Sequence, residues 1–411
     1  MIDLQQCREM DASDPLRNLR NEFILPKDRI NMDGNSLGSL PKATSERVNS
    51  LILEEWGQGL ITSWSEANWM DAPIRIGAKI APLIGAAPHE VMVSDSTSIN
   101  IFKLLSAAVR MQEDRRIILS ETGNFPTDLY MMQGLAEFSS ERLEYKVVAP
   151  EDLVHNINKD VAVVLLTQVH YKSAEIKDMA YLTDLCHKHG VLIIWDLSHS
   201  VGSIEVDLNQ ANADFAVGCG YKFLNGGPGA PAFLYAADKH HDSMQPILTG
   251  WMGHRDPFAF DDDYVPHKGM DRFRCGTPGI IGMAALEAGL DLFNKTTIKA
   301  LRSKALQLSR LFMDLMTQEC DDFGFTLFSP IQDRNRGGHV SYTHPQGHGI
   351  YQAIKRKGVI SDFRMPDVLR FGITPMYLGY EDIYEVVQCI REVMVNQDYM
   401  DPAFNKRSKI T

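Results

Sequence analysis

Asp214-Phe-Ala-Val-Gly-Cys-Gly-Tyr-Lys-Phe-Leu-Asn-Gly-Gly-Pro-Gly229 is a short apolar run that ends in a lysine, Lys222, and passes at once into a glycine-rich turn. A strand that ends in a loop is a rigid platform for chemistry. A lysine amine there can form a Schiff base when burial or a nearby cation lowers its pKa. Taken alone, Lys222 reads as a surface lysine after a strand. Its surroundings in the sequence change that reading.

Upstream lies Val191-Leu-Ile-Ile-Trp-Asp-Leu-Ser-His-Ser-Val-Gly202, a second apolar run that ends in a carboxylate, Asp196, with His199 three residues on. Continuous apolar runs are the mark of parallel strands covered on both faces. Ligands of such sheets bind beyond the carboxyl ends of the strands, so Asp196 and Lys222 should line one crevice. A carboxylate placed straight after Val-Leu-Ile-Ile-Trp is costly to bury without a partner. A pyridinium nitrogen facing Asp196 and an amine-reactive aldehyde facing Lys222 would satisfy both groups, and pyridoxal 5'-phosphate (PLP) carries both.

The pattern around these runs alternates strand and helix. Strands are expected at 91–93, 117–119, 161–166, 191–195, 215–219 and 232–236, with helices running from the Asp95–Asn100 turn to Ala108, after Asp128, and over 179–189. That alternation predicts an α/β fold with a largely parallel sheet between helices. Helices are also expected at 15–23, 42–56, 281–293 and 299–318, and a smaller α+β region follows from about 324. Residues 250–282 are irregular and charged, and so long a stretch in a compact enzyme points to function or an interface. The expected division is an N-terminal segment 1–56 packing with the small domain, a large cofactor-binding domain 57–293 and a small C-terminal domain 294–411.

Two further stretches suit the cofactor. Ser96 and Thr97 stand where a helix begins, and helix N-termini favour anions such as phosphate, although simple N-capping explains hydroxyls there equally well. Phe125, in Asn124-Phe-Pro-Thr-Asp128, sits in a strand-to-helix turn from which an aromatic ring could cover a flat cofactor.

Composition excludes several classes. The 411 residues carry a net charge of −12, which argues against a nucleic-acid surface, where clustered Lys and Arg are needed. No apolar run approaches the roughly 20 residues of a membrane span, and Met1–Met10 lacks the apolar core of a signal peptide. A cytoplasmic protein is expected. The six cysteines are scattered without a CxxC pair, so neither a disulfide framework nor a metal site is expected.

Taken in order, Asp95-Ser-Thr-Ser-Ile-Asn100, Asn124-Phe-Pro-Thr-Asp128, Trp195-Asp-Leu-Ser-His-Ser-Val-Gly202 and Gly220-Tyr-Lys-Phe-Leu-Asn-Gly-Gly-Pro-Gly229 resemble the fold-type I PLP-dependent enzymes. With Gly34-Asn-Ser-Leu-Gly38, Gly250-Trp251, Arg274-Cys-Gly-Thr-Pro278 and Leu369-Arg-Phe-Gly-Ile-Thr-Pro375, the resemblance narrows to the kynureninases and spans nearly the whole chain. It implies hydrolytic Cβ–Cγ cleavage of L-kynurenine, or of its 3-hydroxy derivative, to the anthranilate and L-alanine, in tryptophan catabolism.

The resemblance also implies roles. Lys222 holds the cofactor and moves the α-proton, Asp196 meets the pyridine nitrogen with His199 close by, and Tyr221 reaches the phosphate. Ser96 and Thr97 bind the phosphate, Phe125 stacks on the ring, and Asp128 and Thr167 line the site. Trp251 and Thr277 come from the second subunit of a homodimer whose active site is shared. Arg370 clamps the substrate α-carboxylate, and Ser36 and Trp64 face its aromatic end. Thr277 stands where some relatives have Asn, and Lys172-Ser-Ala-Glu175 departs from the usual pattern; both bear on substrate detail. The nearest rival is a cysteine desulfurase or selenocysteine lyase of the same superfamily. Those stack a His on the ring and carry a loop Cys, whereas this chain has Phe125 and no Cys in Ser329–Gly338. A catalytically inactive PLP-fold binding protein is the rival from another class.

Overall fold

The central strand Val161–Thr167 is apolar up to its last residue and buried at every position, which requires cover on both faces. In the computed structural model, which describes residues 2–140 and 142–405, it lies in a sheet built from β1 (Val91–Val93), β2 (Ile117–Glu121), β3 (Glu144–Val148), β4 (Val161–Thr167), β5 (Leu192–Asp196), β6 (Phe215–Gly218) and β7 (Phe233–Ala236). The spatial order is β1-β7-β6-β5-β4-β2-β3. The pairs from β3 to β6 are parallel, and β7 runs against both its neighbours. The sheet is therefore mainly parallel, as the alternation predicts, with one reversed strand near an edge.

Successive side chains of a strand point to opposite faces. Ile193 and Trp195 enter the core on one side with Val164 and Leu166. Leu192 and Ile194 enter the core on the other with Val163, Leu165 and Phe215. Helices α1 (Leu4–Ser13), α2 (Lys42–Ser50), α3 (Ala72–Ile80), α4 (Thr97–Met111), α5 (Pro126–Phe138) and α6 (Met179–Lys188) precede or interleave with these strands, and α7 (Ile280–Leu290) follows them. Ile101, Leu104 and Leu105 of α4 and Met132 and Leu135 of α5 close the second face.

The C-terminal part holds α8 (Ile298–Cys320), α9 (Gly347–Arg356) and α10 (Tyr380–Asn396). They pack with a second sheet of β8 (Thr326–Leu327), β9 (His339–Thr343), β10 (Asp362–Arg364) and β11 (Val368–Gly372), in the order β8-β9-β11-β10 and antiparallel throughout. α1 packs on α10, and Ile30–Asn31 pairs in parallel with Val359–Ile360.

Two expectations are corrected, and one helix is added. The helix expected over 15–23 is a 3-10 turn, Arg17–Glu22, because Asp14 ends α1 and the chain then bends into a short strand. α1 itself was not anticipated from the pattern; its polar sequence buries Cys7, and an Asp3–Gln6 capping box starts it. The helix expected over 42–56 is α-helical to Ser50 and then widens to a π-turn over Leu51–Trp56.

Lys304 of α8 and Asp14 at the end of α1 form a 2.7 Å ion pair with both side chains almost wholly buried. Removing one member of a buried pair leaves the other charge uncompensated, at a cost of about 3–5 kcal/mol. Lys304→Met should lower the denaturation midpoint accordingly. A midpoint within the error of the parent would show that the pair contributes nothing to holding the N-terminal segment.

Candidate active site

Register builds the site. Thr167 and Asp196 are the last residues of β4 and β5 and lie directly opposite each other, and Asp196 lies opposite Val217 of β6. The carboxyl ends of three neighbouring strands therefore open on one cavity of about 460 Å³. Lys222 follows β6 by four residues and is buried. Its Nζ lies 2.9 Å from His199 Nε2 and 5.8 Å from the centre of the Phe125 ring.

Asp196 accepts from the Ser198 amide at 2.8 Å. Burial pushes its carboxyl above the usual value, while the hydrogen bond to Ser198 and the Lys222 ammonium pull the other way. Asp128 is pushed well above the ordinary carboxylate value by burial and then by the neighbouring charge of Asp196. Its Oδ2 lies 3.3 Å from the Thr167 hydroxyl, and its Oδ1 is buried without a partner. His199 is held neutral: burial takes it well below its usual value, and the Lys222 ammonium and His339 push in the same direction.

At the mouth, Ser96 caps α4 and accepts from the Ile99 amide, with Thr97 beside it at the helix start. Free amides at this end favour an anion. Phe125 is 37% exposed, and Asn124 Oδ1 orients its backbone by accepting from the Phe125 amide at 2.8 Å. Tyr171 meets Phe125 edge-on at 5.2 Å. The Tyr221 hydroxyl is raised above the usual phenol range by neighbouring Cys219, by burial and by Asp196.

The structure thus brings nine of the expected residues to one cavity: Ser96, Thr97, Phe125, Asp128, Thr167, Asp196, His199, Tyr221 and Lys222. Five lie elsewhere. Arg370 is buried on β11, with Nε donating to Asp362 Oδ1 at 2.6 Å and an Nη to Asp362 Oδ2; another Nη donates to the Tyr171 carbonyl. Ser36 donates to Asp362 Oδ2 at 2.8 Å and lies 3.2 Å from Arg370. Trp64 packs edge-on against Trp69 at 5.6 Å, away from the cavity lining. Thr277 lines a neighbouring cavity of about 370 Å³ that shares Asp95 and Gly229 with the first. Trp251 is 42% exposed, meets the Phe258 ring edge-on at 5.8 Å and is not among the residues lining the cavity.

The N-terminal Gly34–Gly38 stretch is explained by close approach. The Gly38 amide donates to the Tyr221 carbonyl at 2.9 Å, and a Cβ on Gly38 would lie 2.4 Å from the Lys222 carbonyl. No side chain fits there, so the segment can run against the lysine loop only as glycine. Residues outside the expected set also support the site. Asn124 and Tyr171 support Phe125, Asp362 holds Arg370, and His339 on β9 meets the His199 ring at 5.6 Å. A hydrophobic residue next to a motif could have suggested Tyr171; nothing local marks Asp362 or His339.

Whole-chain relatives share this sequence. The kynureninase of Pseudomonas fluorescens is 44% identical, with all of both chains aligned. That of Deinococcus radiodurans is 46% identical over 96% of this chain and 97% of its own, and that of Burkholderia mallei 42% over 99% of each. Residues 301–390 match the family model of the kynureninase C-terminal domain. Among solved structures, a cysteine desulfurase from Thermococcus onnurineus superposes with a TM-score of 0.78 at 19% identity, over 92% of this chain and 98% of that one. A cysteine desulfurase from Escherichia coli gives 0.77 at 19%, over 93% and 98%. At that identity the likeness is one of fold.

Burial pushes His339 down to about 3. A histidine kept neutral in the fold but protonated when unfolded supports stability fully above its unfolded pKa near 6.5, and that support is lost as pH falls from there toward the folded value. Between pH 7 and pH 5 the loss amounts to about 2 kcal/mol. His339→Gln should therefore lose about that much less stability than the parent over this interval in denaturant titrations. Parallel curves for the two proteins would mean that His339 is reached by water.

Proposed function

This chain belongs to the kynureninase family, and from that membership we propose that it hydrolyses L-kynurenine to anthranilate and L-alanine with PLP as cofactor. The observation that carries the reading is the convergence of Lys222 and Asp196, from two neighbouring strand ends, on one cavity. The residues present fit the cofactor. An anion-binding helix start, an aromatic wall, a buried carboxylate and a buried amine stand around one space, and Asp128 Oδ1 has no protein partner.

Ser96, Thr97 and the first amides of α4 would hold the phosphate, Phe125 would cover the ring, and Asp196 would face the pyridine nitrogen. Bound there, PLP supplies the electron sink for the pair released when the α-proton leaves and the Cβ–Cγ bond breaks. Lys222 would hold the cofactor through its amine and carry the α-proton. Neutral His199, at 2.9 Å, offers Lys222 Nζ a lone pair and no competing charge. Asp128 and Thr167 close the inner wall.

Arg370 would bind the α-carboxylate, and Asp362, gripping its Nε edge, fixes the plane of the guanidinium. Ser36, expected at the aromatic end, is bound to the same Asp362 and lies 3.2 Å from Arg370, so it would stand by the carboxylate instead. Water added at the substrate ketone completes the hydrolysis and leaves the two products.

The active site is read as shared in a homodimer. Trp251, Phe258 and Phe260 form a chain of exposed rings in mutual contact, which suits burial against a second copy. Trp251 and Thr277, outside the cavity that holds Lys222 in their own chain, would then reach the neighbour's. The same reading divides the chain into segment 1–56, large domain 57–293 and small domain 294–411, and places it in the cytoplasm. Among the described residues no helix is long and apolar enough to cross a membrane.

The test is the visible spectrum of the purified protein with PLP, then anthranilate fluorescence on addition of L-kynurenine. A coloured protein that forms anthranilate is expected, and Lys222→Ala should lose at least about 10²–10⁴ of the turnover. Sulfide release from L-cysteine without anthranilate would replace this reading with the desulfurase one. Parental turnover by Lys222→Ala would remove the mechanism.

A further inference from the structure

Lys103 is a buried cation that the mechanism above does not use. It lies on α4, two turns beyond Ser96, and its side chain has no exposed surface. Its Nζ lies 2.5 Å from Asp95 Oδ2, 3.2 Å from Ser94 Oγ and 2.6 Å from the Phe273 carbonyl. An ammonium has three N–H groups, and these three acceptors use all of them.

Two of the acceptors belong to the turn that leads into the helix start, and the third belongs to the strap that continues through Cys275 to Thr277. Asp95 sits at φ +44°, a left-handed conformation that a non-glycine residue keeps only when something holds it. Its carboxylate lines both cavities beside Ser96 and Thr97. Burial pushes the Asp95 carboxyl up, and Lys103 more than offsets this, holding it below the ordinary carboxylate value. Without a countercharge, that carboxylate would oppose an anion at the helix start.

We propose that Lys103 is a positioning residue for the phosphate-binding turn: it neutralises Asp95, holds the turn in its left-handed bend and ties it to the strap bearing Thr277. The role rests on the reading that the cavity takes a phosphorylated cofactor. The Lys103 end of this ion pair is wholly buried while the Asp95 carboxylate is 36% exposed, and a pair serving stability alone could be replaced by apolar groups at little cost. This one joins two segments that face the anion end of the site.

The experiment is titration of the apoprotein with PLP and with pyridoxal, which lacks the phosphate, followed by absorbance and protein fluorescence, with inorganic phosphate as competitor. Lys103→Met should weaken PLP at least about tenfold and leave pyridoxal within about twofold, since a charge-assisted contact is lost only at the anion end. Asp95→Asn keeps an oxygen for Lys103 and removes the negative charge, so PLP and phosphate should bind more tightly while pyridoxal is unchanged. This second variant tests the role even if Lys103→Met does not fold. Equal weakening of both ligands in Lys103→Met, or an Asp95→Asn protein no tighter for phosphate, would overturn the proposal. A parent apoprotein that binds neither PLP nor phosphate would overturn the cofactor reading and this role with it.

Discussion

A carboxylate and an ammonium held out of water at the ends of adjacent strands set the terms for everything around them. Asp196 and Lys222 are both buried, and neither can be left there without compensation, since an unpaired buried charge costs several kcal/mol. The protein meets this demand with short-range partners. The Ser198 amide serves Asp196, and His199, kept neutral by burial, accepts from Lys222. Asp128 remains with one buried oxygen unsatisfied. A site under such electrostatic strain is poised for a ligand that carries both a cationic ring nitrogen and an anion.

The sheet is what allows the charges to be held there. Parallel strands with apolar faces on both sides give a rigid floor, and their register brings Thr167, Asp196 and the start of the lysine loop to one edge. The N-terminal segment then closes against that loop. Gly38 lies against the Lys222 backbone, Gly34 against Thr374 and Tyr377, and Gly372 against Asn35. One glycine-rich strand of chain is thereby wedged between the lysine loop and the β11 end that carries Arg370. Distance along the sequence is no guide to this arrangement: Ser36 and Arg370 share Asp362 although more than three hundred residues separate them.

Legibility in the sequence followed how local the physics was. The alternation of apolar runs with helical patterns was enough for the α/β fold, and β4 and β5 are as continuous as any strand pattern can be. The charge that ends each run marked Asp196 and Lys222, because a polar residue directly after a buried strand must have a reason. Ser96, Thr97 and Phe125 were readable as a helix start and a loop aromatic, and their meeting in one cavity is what only the packed chain shows, with Ser96 capping its helix there as well. Polar α1 escaped, since its amphipathic signal is weak and its stability comes from packing on α10. Lys103, Asp362 and His339 escaped because nothing in their neighbours along the chain distinguishes a buried charge or ring from an exposed one.

The sequence by itself determined the class of fold, the strand-end placement of the lysine and carboxylate, and the chemistry those groups can support, because each follows from short apolar runs and the residue that terminates them. Tertiary structure alone decided which charges face each other. It set Asp362 on Arg370, Lys103 on Asp95 and His339 on His199, and it kept Trp251, Thr277 and Trp64 away from their own chain's main cavity. Pairing energies depend on distances of a few ångströms and on the exclusion of water. Those quantities exist only once distant segments have packed together.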